Sequence, residues 1–179
     1  YTNYEAGPAQ VVSPRANTPP GTLTAWQISD VYEAAFQPPN SPPRNARWED
    51  VEVEDEGIVN VSRYRAKLLR NERREKSVNK DLVFARVRIH SDHDQVKKLW
   101  LGYSDEVLAM LNGTPIYEGK ASFGHRYPFS LGIVGTDNDA IYLPLKKGDN
   151  ELVLAVSEIF GGWGFVGRFD DLSGLRLPD

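Results

Sequence analysis

The amino-acid sequence predicts an antiparallel β-sandwich, and two hairpin patterns carry that prediction. The apolar run from Val107 to Leu111 ends at Asn112-Gly113, a pair that tolerates the positive φ angles of a tight two-residue turn. The chain then reverses into a second extended segment. Further on, a segment ending at Leu145 meets a solvated turn and returns through a strand that is apolar on both faces. That last pattern predicts a central strand covered on each side.

Alternation and turn residues then define the other elements in chain order. Residues 82–90 alternate between an apolar face and a face that carries Arg86, Arg88 and His90, which is typical of a half-buried strand. Gln37 to Arg47 holds four prolines and is predicted to be a long loop. The predicted strands are Leu23 to Ser29, Trp48 to Val53, Ile58 to Ser62, Leu82 to His90, Gln95 to Tyr103, Glu106 to Leu111, Thr114 to Tyr117, Ala140 to Leu145 and Glu151 to Glu158, with Gly164 to Phe169 as a further candidate.

Three motifs occur in a characteristic order along the second half of the chain. Asn112-Gly113 ends a strand, Tyr127-Pro128-Phe129 follows, and Leu145 with Gly148 and Asn150 forms the turn before the last long strand. In this order they resemble the galactose-binding-like jelly-roll family, notably the sugar-binding domains of β-galactosidase- and glucuronidase-type glycoside hydrolases. The resemblance extends from about Leu82 to Phe165. It implies a jelly-roll sandwich that binds sugar without catalysing a reaction.

Length and composition are those of one ordinary globular domain. A chain of 179 residues with 40% hydrophobic and 26% charged residues needs no second core. Residues 1–21 have the Pro-rich composition of an arm or linker, and residues 22–179 are predicted to form the single sandwich domain. The net charge of −4 argues against nucleic-acid binding by the whole domain, and no apolar run reaches the ~18 residues of a transmembrane helix.

One segment is locally basic. Arg63 to Lys80 reads RYRAKLLRNERREKSVNK, which we interpret as a solvated excursion between strands, with a contact surface for an acidic partner as the alternative. The sequence contains no cysteine, so a disulfide framework is excluded while the compartment stays open. Any targeting signal would lie upstream of Tyr1.

The search for catalytic motifs returns no complete constellation. Glycoside hydrolysis needs two carboxylates ~5–9.5 Å apart, one of them with a raised pKa. The acidic candidates are Glu52, Glu54, Glu118, Glu158, Asp170 and Asp171, and no spacing pairs them. The sequence therefore does not favour an independent hydrolase, and it implies no organic cofactor.

Metal binding has only weak support from the sequence. His90 and His93 lie three positions apart, so an extended strand would point them to opposite faces. Asp92, Asp94 and Asp105 could supply oxygen ligands to a structural calcium ion of the kind that galactose-binding-like folds often carry, although no EF-hand spacing supports it. For Asp105 we favour a hydrogen bond to backbone N–H groups of a turn.

Aromatic residues give the better functional signal, because sugar rings present flat apolar faces that stack on Trp or Tyr. Trp163 lies between glycines and is the predicted platform; the alternative is that it closes the end of the sandwich. The segment after the hairpin supplies a second cluster. Trp26, Trp48 and Trp100 lie in predicted strands and are assigned to the core. The candidate ligand-binding residues are Trp163, Tyr117, Glu118, His125, Arg126 and Glu158.

The resulting functional hypothesis is a non-catalytic carbohydrate-binding or accessory module of a glycan-processing protein. Its partners would be a carbohydrate and an adjoining catalytic domain or protein, and the resemblance implies an extracellular or periplasmic location. Two alternatives stay open. One is a structural or protein-interaction domain in which the aromatic residues are buried, and the other is a free-standing glycoside hydrolase with acids converging on one cleft.

Overall fold

The structure, a computed structural model, describes residues 17–34, 41–67, 80–125, 131–159 and 161–178. These residues form twelve β-strands and two short 3-10 turns, at Asp55–Gly57 and Val61–Arg63. The strands are β1 (Trp26–Ser29), β2 (Tyr32–Ala34), β3 (Trp48–Val51), β4 (Val59–Asn60), β5 (Lys80–Ser91), β6 (Gln95–Ser104), β7 (Glu106–Leu111), β8 (Thr114–Lys120), β9 (Asp139–Leu145), β10 (Gly148–Glu158), β11 (Gly164–Phe169) and β12 (Leu175–Arg176).

All pairings within the two sheets are antiparallel, so the predicted all-β sandwich is confirmed. The larger sheet has eight strands with the main order β3-β1-β5-β10-β7-β8, and β2 and β12 also pair with β5. The smaller sheet has the order β4-β11-β6-β9. Every predicted strand is present, including the candidate at Gly164 to Phe169. Of Ile58 to Ser62, however, only Val59–Asn60 is strand, because a 3-10 turn begins at Val61.

The main core lies between the sheets, and one side of each strand supplies it. Trp26 is 1% exposed and meets Phe165 edge to face, with ring centroids 4.9 Å apart. β10 contributes Leu152, Leu154 and Val156 to this core. Such burial is the dominant stabilising term in folding.

A second apolar cluster covers the other face of the larger sheet. Leu82, Phe84, Leu108, Met110, Val153 and Ala155 are all buried there, and Tyr32 and Trp48 pack against them. Successive side chains of a strand point to opposite faces, so β10 is apolar toward both clusters. This arrangement confirms the prediction of a central strand covered on each side. It also moves Trp48 from the predicted main core to the edge of this second cluster.

One side chain ties together the two turns predicted from sequence. Asn112 has a φ of 51° and Gly113 a φ of 79°, the left-handed pair that the tight turn needs. The fully buried Asn150 accepts hydrogen bonds from the Asn112 amide at 2.9 Å and from the Lys146 N–H at 2.9 Å. Its own amide donates to the Lys146 carbonyl at 2.7 Å. The Asn112 and Asn150 motifs therefore form one hydrogen-bonded unit.

The outermost strands of both sheets are short or contain proline. β3 has four residues and β4 has two. β8 carries Pro115 and β9 carries Pro144. Since proline has no backbone N–H to donate, these two strands cannot offer a complete ladder to a further strand.

Gly102 of β6 lets the loop of residues 131–138 lie directly on the outer face of the smaller sheet. A Cβ atom built on Gly102 would stand only 1.6 Å from the Gly135 carbonyl oxygen. Glycine is therefore required there by close backbone approach. The Asn138 side chain also accepts a hydrogen bond from the Tyr103 N–H at 3.0 Å, which fixes the end of the loop.

The arm, the long loop and the basic segment lie partly outside the described residues. Residues 1–16, 35–40, 68–79 and 126–130, the last including Tyr127-Pro128-Phe129, belong to the undescribed part. At the end of the predicted arm, the Gly21 carbonyl already accepts a hydrogen bond from the Phe169 N–H at 2.9 Å. Within the described segments, no helix has the length and apolar character needed to cross a membrane.

The described cations of the basic segment contact the domain itself. Arg63, Arg65 and Lys67 pair with Glu54, Glu49 and Glu158, and Lys80 pairs with Glu106. The alternative of an acidic partner for this segment stays a prediction.

We expect Gly102→Ala to lower the free energy of unfolding by about 1–3 kcal/mol, because the added methyl group must displace the backbone of the loop. Urea denaturation measures the change. Gly162→Ala is the matched control: its Cβ would meet nothing closer than the Gly132 oxygen at 3.6 Å, so its effect should stay within about 0.5 kcal/mol. Equal effects of the two substitutions would contradict the close approach at Gly102.

Candidate functional site

The outer face of the smaller sheet carries an exposed patch of aromatic and charged side chains. Leu99 and Leu101 point into the core, so Lys98 and Trp100 of the same strand point outward. In the sheet register Trp100 lies between Arg168 of β11 and Ala140 of β9, and Lys98 lies opposite Tyr142. We call Lys98, Trp100, Ala140, Tyr142, Arg168 and Asp170 the outer strip. It crosses three strands of the sheet.

Asp170 joins three members of the outer strip. Its carboxylate accepts hydrogen bonds from the Trp100 indole N–H at 2.6 Å and from Arg168 at 2.7 Å. The Lys98 ammonium lies 3.1 Å from the same carboxylate and 4.2 Å from the centroid of the Trp100 ring. The indole hydrogen bond, followed by that from Lys98, holds the pKa of Asp170 below its usual range. The indole is thus oriented by a neighbour that is charged near neutral pH.

Tyr142 gives the outer strip its most accessible aromatic ring. It is 66% exposed, and it is the diagonal cross-strand neighbour of Trp100, at roughly 7 Å. Trp100 itself is half-buried, because the Lys98 side chain covers part of it. Two aromatic side chains therefore lie on the same face of the sheet, at diagonal positions of β6 and β9.

A cavity of about 450 Å³ adjoins the outer strip at Arg168. Its volume lies within the range of about 300–1,000 Å³ typical of small-molecule sites. Val166 and Arg168 of β11 line it, and its polar wall comes from three other segments, with Asn17, Asp55, Glu56 and Thr136. Thr136 belongs to the loop that Gly102 admits onto the sheet. The sheet, the loop and the N-terminal segment therefore build this cavity together.

The chemistry of these groups is that of recognition. The aromatic rings offer apolar surface for stacking, and Lys98 and Arg168 donate hydrogen bonds while Asp170 and the cavity carboxylates accept them. The acids beside the outer strip are poor proton donors near neutral pH. Hydrogen bonds from Lys97 and Ser173 hold the pKa of Asp171 well below its usual range, and the pKa of Asp170 is lowered as well.

The prediction of an exposed Trp163 platform is wrong. Trp163 is 2% exposed and belongs to the core between the sheets. Its indole N–H donates to the Val156 carbonyl of β10 at 3.2 Å. The neighbouring glycines serve backbone approach, since a Cβ on Gly161 would stand 2.5 Å from the Gly132 oxygen. The alternative, in which Trp163 fills the sandwich, is what the structure has.

Glu158 and Tyr117 also turn toward the interior. Glu158 is 1% exposed, and its carboxylate pairs with the Lys67 ammonium at 2.6 Å. Tyr117 packs partly against the main core, with its hydroxyl 3.3 Å from that of Tyr103. Tyr103 donates to Asp139 at 2.6 Å, and burial, followed by this hydrogen bond, raises the pKa of Tyr103. Neither Glu158 nor Tyr117 reaches the outer strip.

The remaining predicted ligand residues lie elsewhere on the surface. Glu118 is exposed on β8, at the edge of the larger sheet, and His125 is exposed in the following loop. Arg126 lies outside the described residues. The structure thus divides the five described residues of this set among the core, the edge of the larger sheet and a loop, and a ligand role for Glu118, His125 and Arg126 stays a prediction.

The acids considered for calcium make separate contacts. Asp94 accepts hydrogen bonds from the Lys147 N–H at 2.8 Å and the Lys146 ammonium at 2.9 Å. Asp92 lies 3.4 Å from Arg176. The buried Asp105 accepts the Ile159 N–H at 2.6 Å, so it bonds to backbone as predicted, but the donor follows β10 and does not belong to the turn beside Asp105. Across the described ranges, no group of three or more His, Asp or Glu side chains is arranged to hold a metal ion.

Sequence reasoning missed Trp100, which it assigned to the core together with Trp26 and Trp48. The signal was available in the alternation of β6. Leu99, Leu101 and Tyr103 share one face, so Trp100 shares the other with Lys98 and Gly102. Because Lys98 lies two residues before Trp100 and therefore on the same face of the strand, the pattern indicated the solvent side for Trp100.

Comparison with protein-family models and with curated proteins finds no match. Among solved structures, a family 35 carbohydrate binding module from an environmental isolate aligns at 12% identity and a TM-score of 0.38, covering 53% of this chain and 69% of that one. A β-glucosidase from Kluyveromyces marxianus aligns at 16% identity and 0.46, covering 86% of this chain. An α-xylosidase of family 31 from Xanthomonas citri aligns at 14% identity and 0.45, covering 87%.

This chain spans only 16% of the length of each of the two hydrolases. Because each of these three TM-scores lies below 0.5, the assignment of the fold rests on the two sheets described above.

Trp100→Phe removes the indole N–H that donates to Asp170, so we expect the pKa of Asp170 to rise toward the ordinary value of about 3.9. A carboxylate whose pKa is lowered by folding stabilises the native state above its unfolded pKa. That stabilisation is lost as pH falls through the folded pKa. Carboxyl ¹³C NMR titration measures the shift.

Asp94 is the internal control for that titration, because Lys147 and Lys146, not Trp100, lower its pKa. An Asp170 midpoint that is identical in the parent protein and in Trp100→Phe would show that the indole does not hold this carboxylate.

Proposed function

We propose that this protein is a non-catalytic carbohydrate-binding module that holds a glycan on the outer strip. The observation that carries the proposal is the pairing of Trp100 and Tyr142 on one solvent-facing sheet surface, beside Lys98, Arg168 and Asp170. Pyranose rings have apolar C–H faces that stack on aromatic rings, while their hydroxyl groups need fixed donors and acceptors. The outer strip supplies both kinds of group.

The fixed orientation of the Trp100 ring also supports binding. The Trp100 ring is fixed by its hydrogen bond to Asp170, which itself is held by Arg168. A ring that is already ordered loses little conformational entropy when a ligand arrives. Stacking on Trp100 requires the flexible Lys98 side chain to move aside, and its ammonium can then donate to sugar hydroxyl groups.

The contacts of four acidic candidates, Asp170, Asp171, Glu54 and Glu158, support a non-catalytic role. A glycosidase needs one carboxyl group with a raised pKa beside a second carboxylate. Asp170 and Asp171 instead have lowered pKa values, Glu54 pairs with Arg63 at 3.1 Å, and the buried Glu158 pairs with Lys67. Attachment to a glycan-processing protein and a location outside the cytoplasm belong to this proposal.

A protein-docking surface is the second candidate for the same face. Val96 and Tyr142 are 65% and 66% exposed, and Pro144 beside them is exposed as well. Apolar side chains of this size on one sheet face would suit an adjoining catalytic domain. Binding to polysaccharide distinguishes the two candidates directly.

We expect Trp100→Ala and Tyr142→Ala each to weaken glycan binding at least about tenfold, as is typical of aromatic anchors. Affinity electrophoresis through xylan, mixed-linkage β-glucan, galactomannan and starch finds the ligand, and titration calorimetry measures the loss. Phe123→Ala is the matched control, since Phe123 is 66% exposed but lies in a loop after β8. Each variant is first checked for folding by circular dichroism.

Migration that no polysaccharide retards would overturn carbohydrate binding and favour the docking surface. Retardation that Trp100→Ala leaves intact would place the glycan elsewhere on the protein.

A further inference from the structure

We propose that the cavity beside the outer strip holds the terminal residue of a neutral glycan, whose next residues lie on Trp100 and Tyr142. The inference rests on the proposed function and adds to it the part of the glycan that is recognised. A module built this way binds chain ends, whereas a flat aromatic face alone binds any internal stretch of a polymer.

The cavity and the outer strip form one continuous surface. Arg168 lines the cavity and is also the direct cross-strand neighbour of Trp100. Tyr142 follows on the next strand, at the diagonal position from Trp100. A ligand that starts in the cavity can therefore cross Arg168, Trp100 and Tyr142 in turn, from β11 over β6 to β9.

Several separate segments line the cavity beside β11. Asn17 and Pro19 come from the N-terminal segment, Asp55 and Glu56 from the first 3-10 turn, and Thr136 from the loop that rests on Gly102. Glu56 has a φ of 61°, a left-handed conformation that a glutamate keeps only when its surroundings hold it. Among the lining residues Arg168 is the direct cross-strand neighbour of Trp100, so the glycan chain continues from the cavity across Arg168.

The polar groups of the cavity suit a neutral sugar. Asp55, Glu56, Asn17 and Thr136 all offer oxygen acceptors to sugar hydroxyl groups. Within the described segments, the Asp55 and Glu56 carboxylates have no side-chain hydrogen bond or ion pair. Arg168, the cation of the cavity, is already paired with Asp170 at 2.7 Å. An anionic terminal residue would thus face two unneutralised carboxylates, which disfavours uronic acids at this position.

The test counts binding sites on unbranched size fractions of the neutral polysaccharide that electrophoresis retains most strongly, so that each chain has a single non-reducing end. Recognition of ends gives one site per chain, so the number of sites per gram should fall tenfold when the mean chain length rises tenfold. Titration calorimetry of each fraction gives that number. A number of sites per gram that is independent of chain length would overturn the inference while leaving the proposed function intact.

A pair of matched substitutions locates the end in the cavity. Thr136→Val keeps the shape of the side chain but removes the hydroxyl group, and we expect it to weaken binding about three- to tenfold. Thr114→Val is the control, since Thr114 is exposed at the distant hairpin of the larger sheet. If both variants bind like the parent protein, the cavity does not hold the glycan.

The proposed function fails in a different way from this inference. It fails if no polysaccharide is retained or if Trp100→Ala binds normally, and the inference then fails with it. Binding that depends on Trp100 but is affected neither by the number of chain ends nor by Thr136→Val overturns only the inference and leaves the proposed function intact.

Discussion

The pairing of β5 with β10 is the constraint on which the rest of this structure depends. The two strands share a continuous register from Gly148 opposite Ser91 to Glu158 opposite Asp81. Both are apolar on both faces over much of their length, so the pair stabilises the main core and the second cluster at once. β7 extends the pair on one side, and β1, β2 and β12 share the free edge of β5. With the larger sheet so fixed, the smaller sheet packs on it by one face, and the part of its other face that the loop of residues 131–138 does not cover is exposed.

Much of this fold was predictable because its signals are local. Alternation identified the long strands, and Asn112-Gly113 identified a turn that the structure forms with positive φ angles at both positions. β2 and β12 were not predictable in the same way, because strands of three and two residues exist only through their pairing with β5. The 3-10 turn at Val61 is likewise set by a distant partner, the Trp163 carbonyl.

The candidate site was less predictable than the fold, and the two tryptophans show why. The glycines around Trp163 indicated an unrestricted backbone, which favoured the prediction of an exposed ring. The same glycines also let the chain approach a neighbouring loop closely while the ring is buried. Trp100 lies in an ordinary strand pattern. Its exposure follows from the face of β6 to which it belongs, and that face is known only once Leu99 and Leu101 are known to fill the core. The cavity is even harder to predict from the sequence. Asn17, Asp55, Thr136 and Arg168 come from four segments, and no sequence spacing brings them together.

The prolines of the outermost strands affect how the protein behaves at high local concentration. Under the proposed function this protein would accumulate on a polymer and reach a high local concentration, the condition under which exposed strand edges of neighbouring molecules join into cross-β aggregates. Pro115 and Pro144 interrupt the edge ladders of β8 and β9, and β3 and β4 are too short to serve as templates. Crowded molecules of this chain are thereby protected from joining edge to edge, and can coat a surface as separate particles.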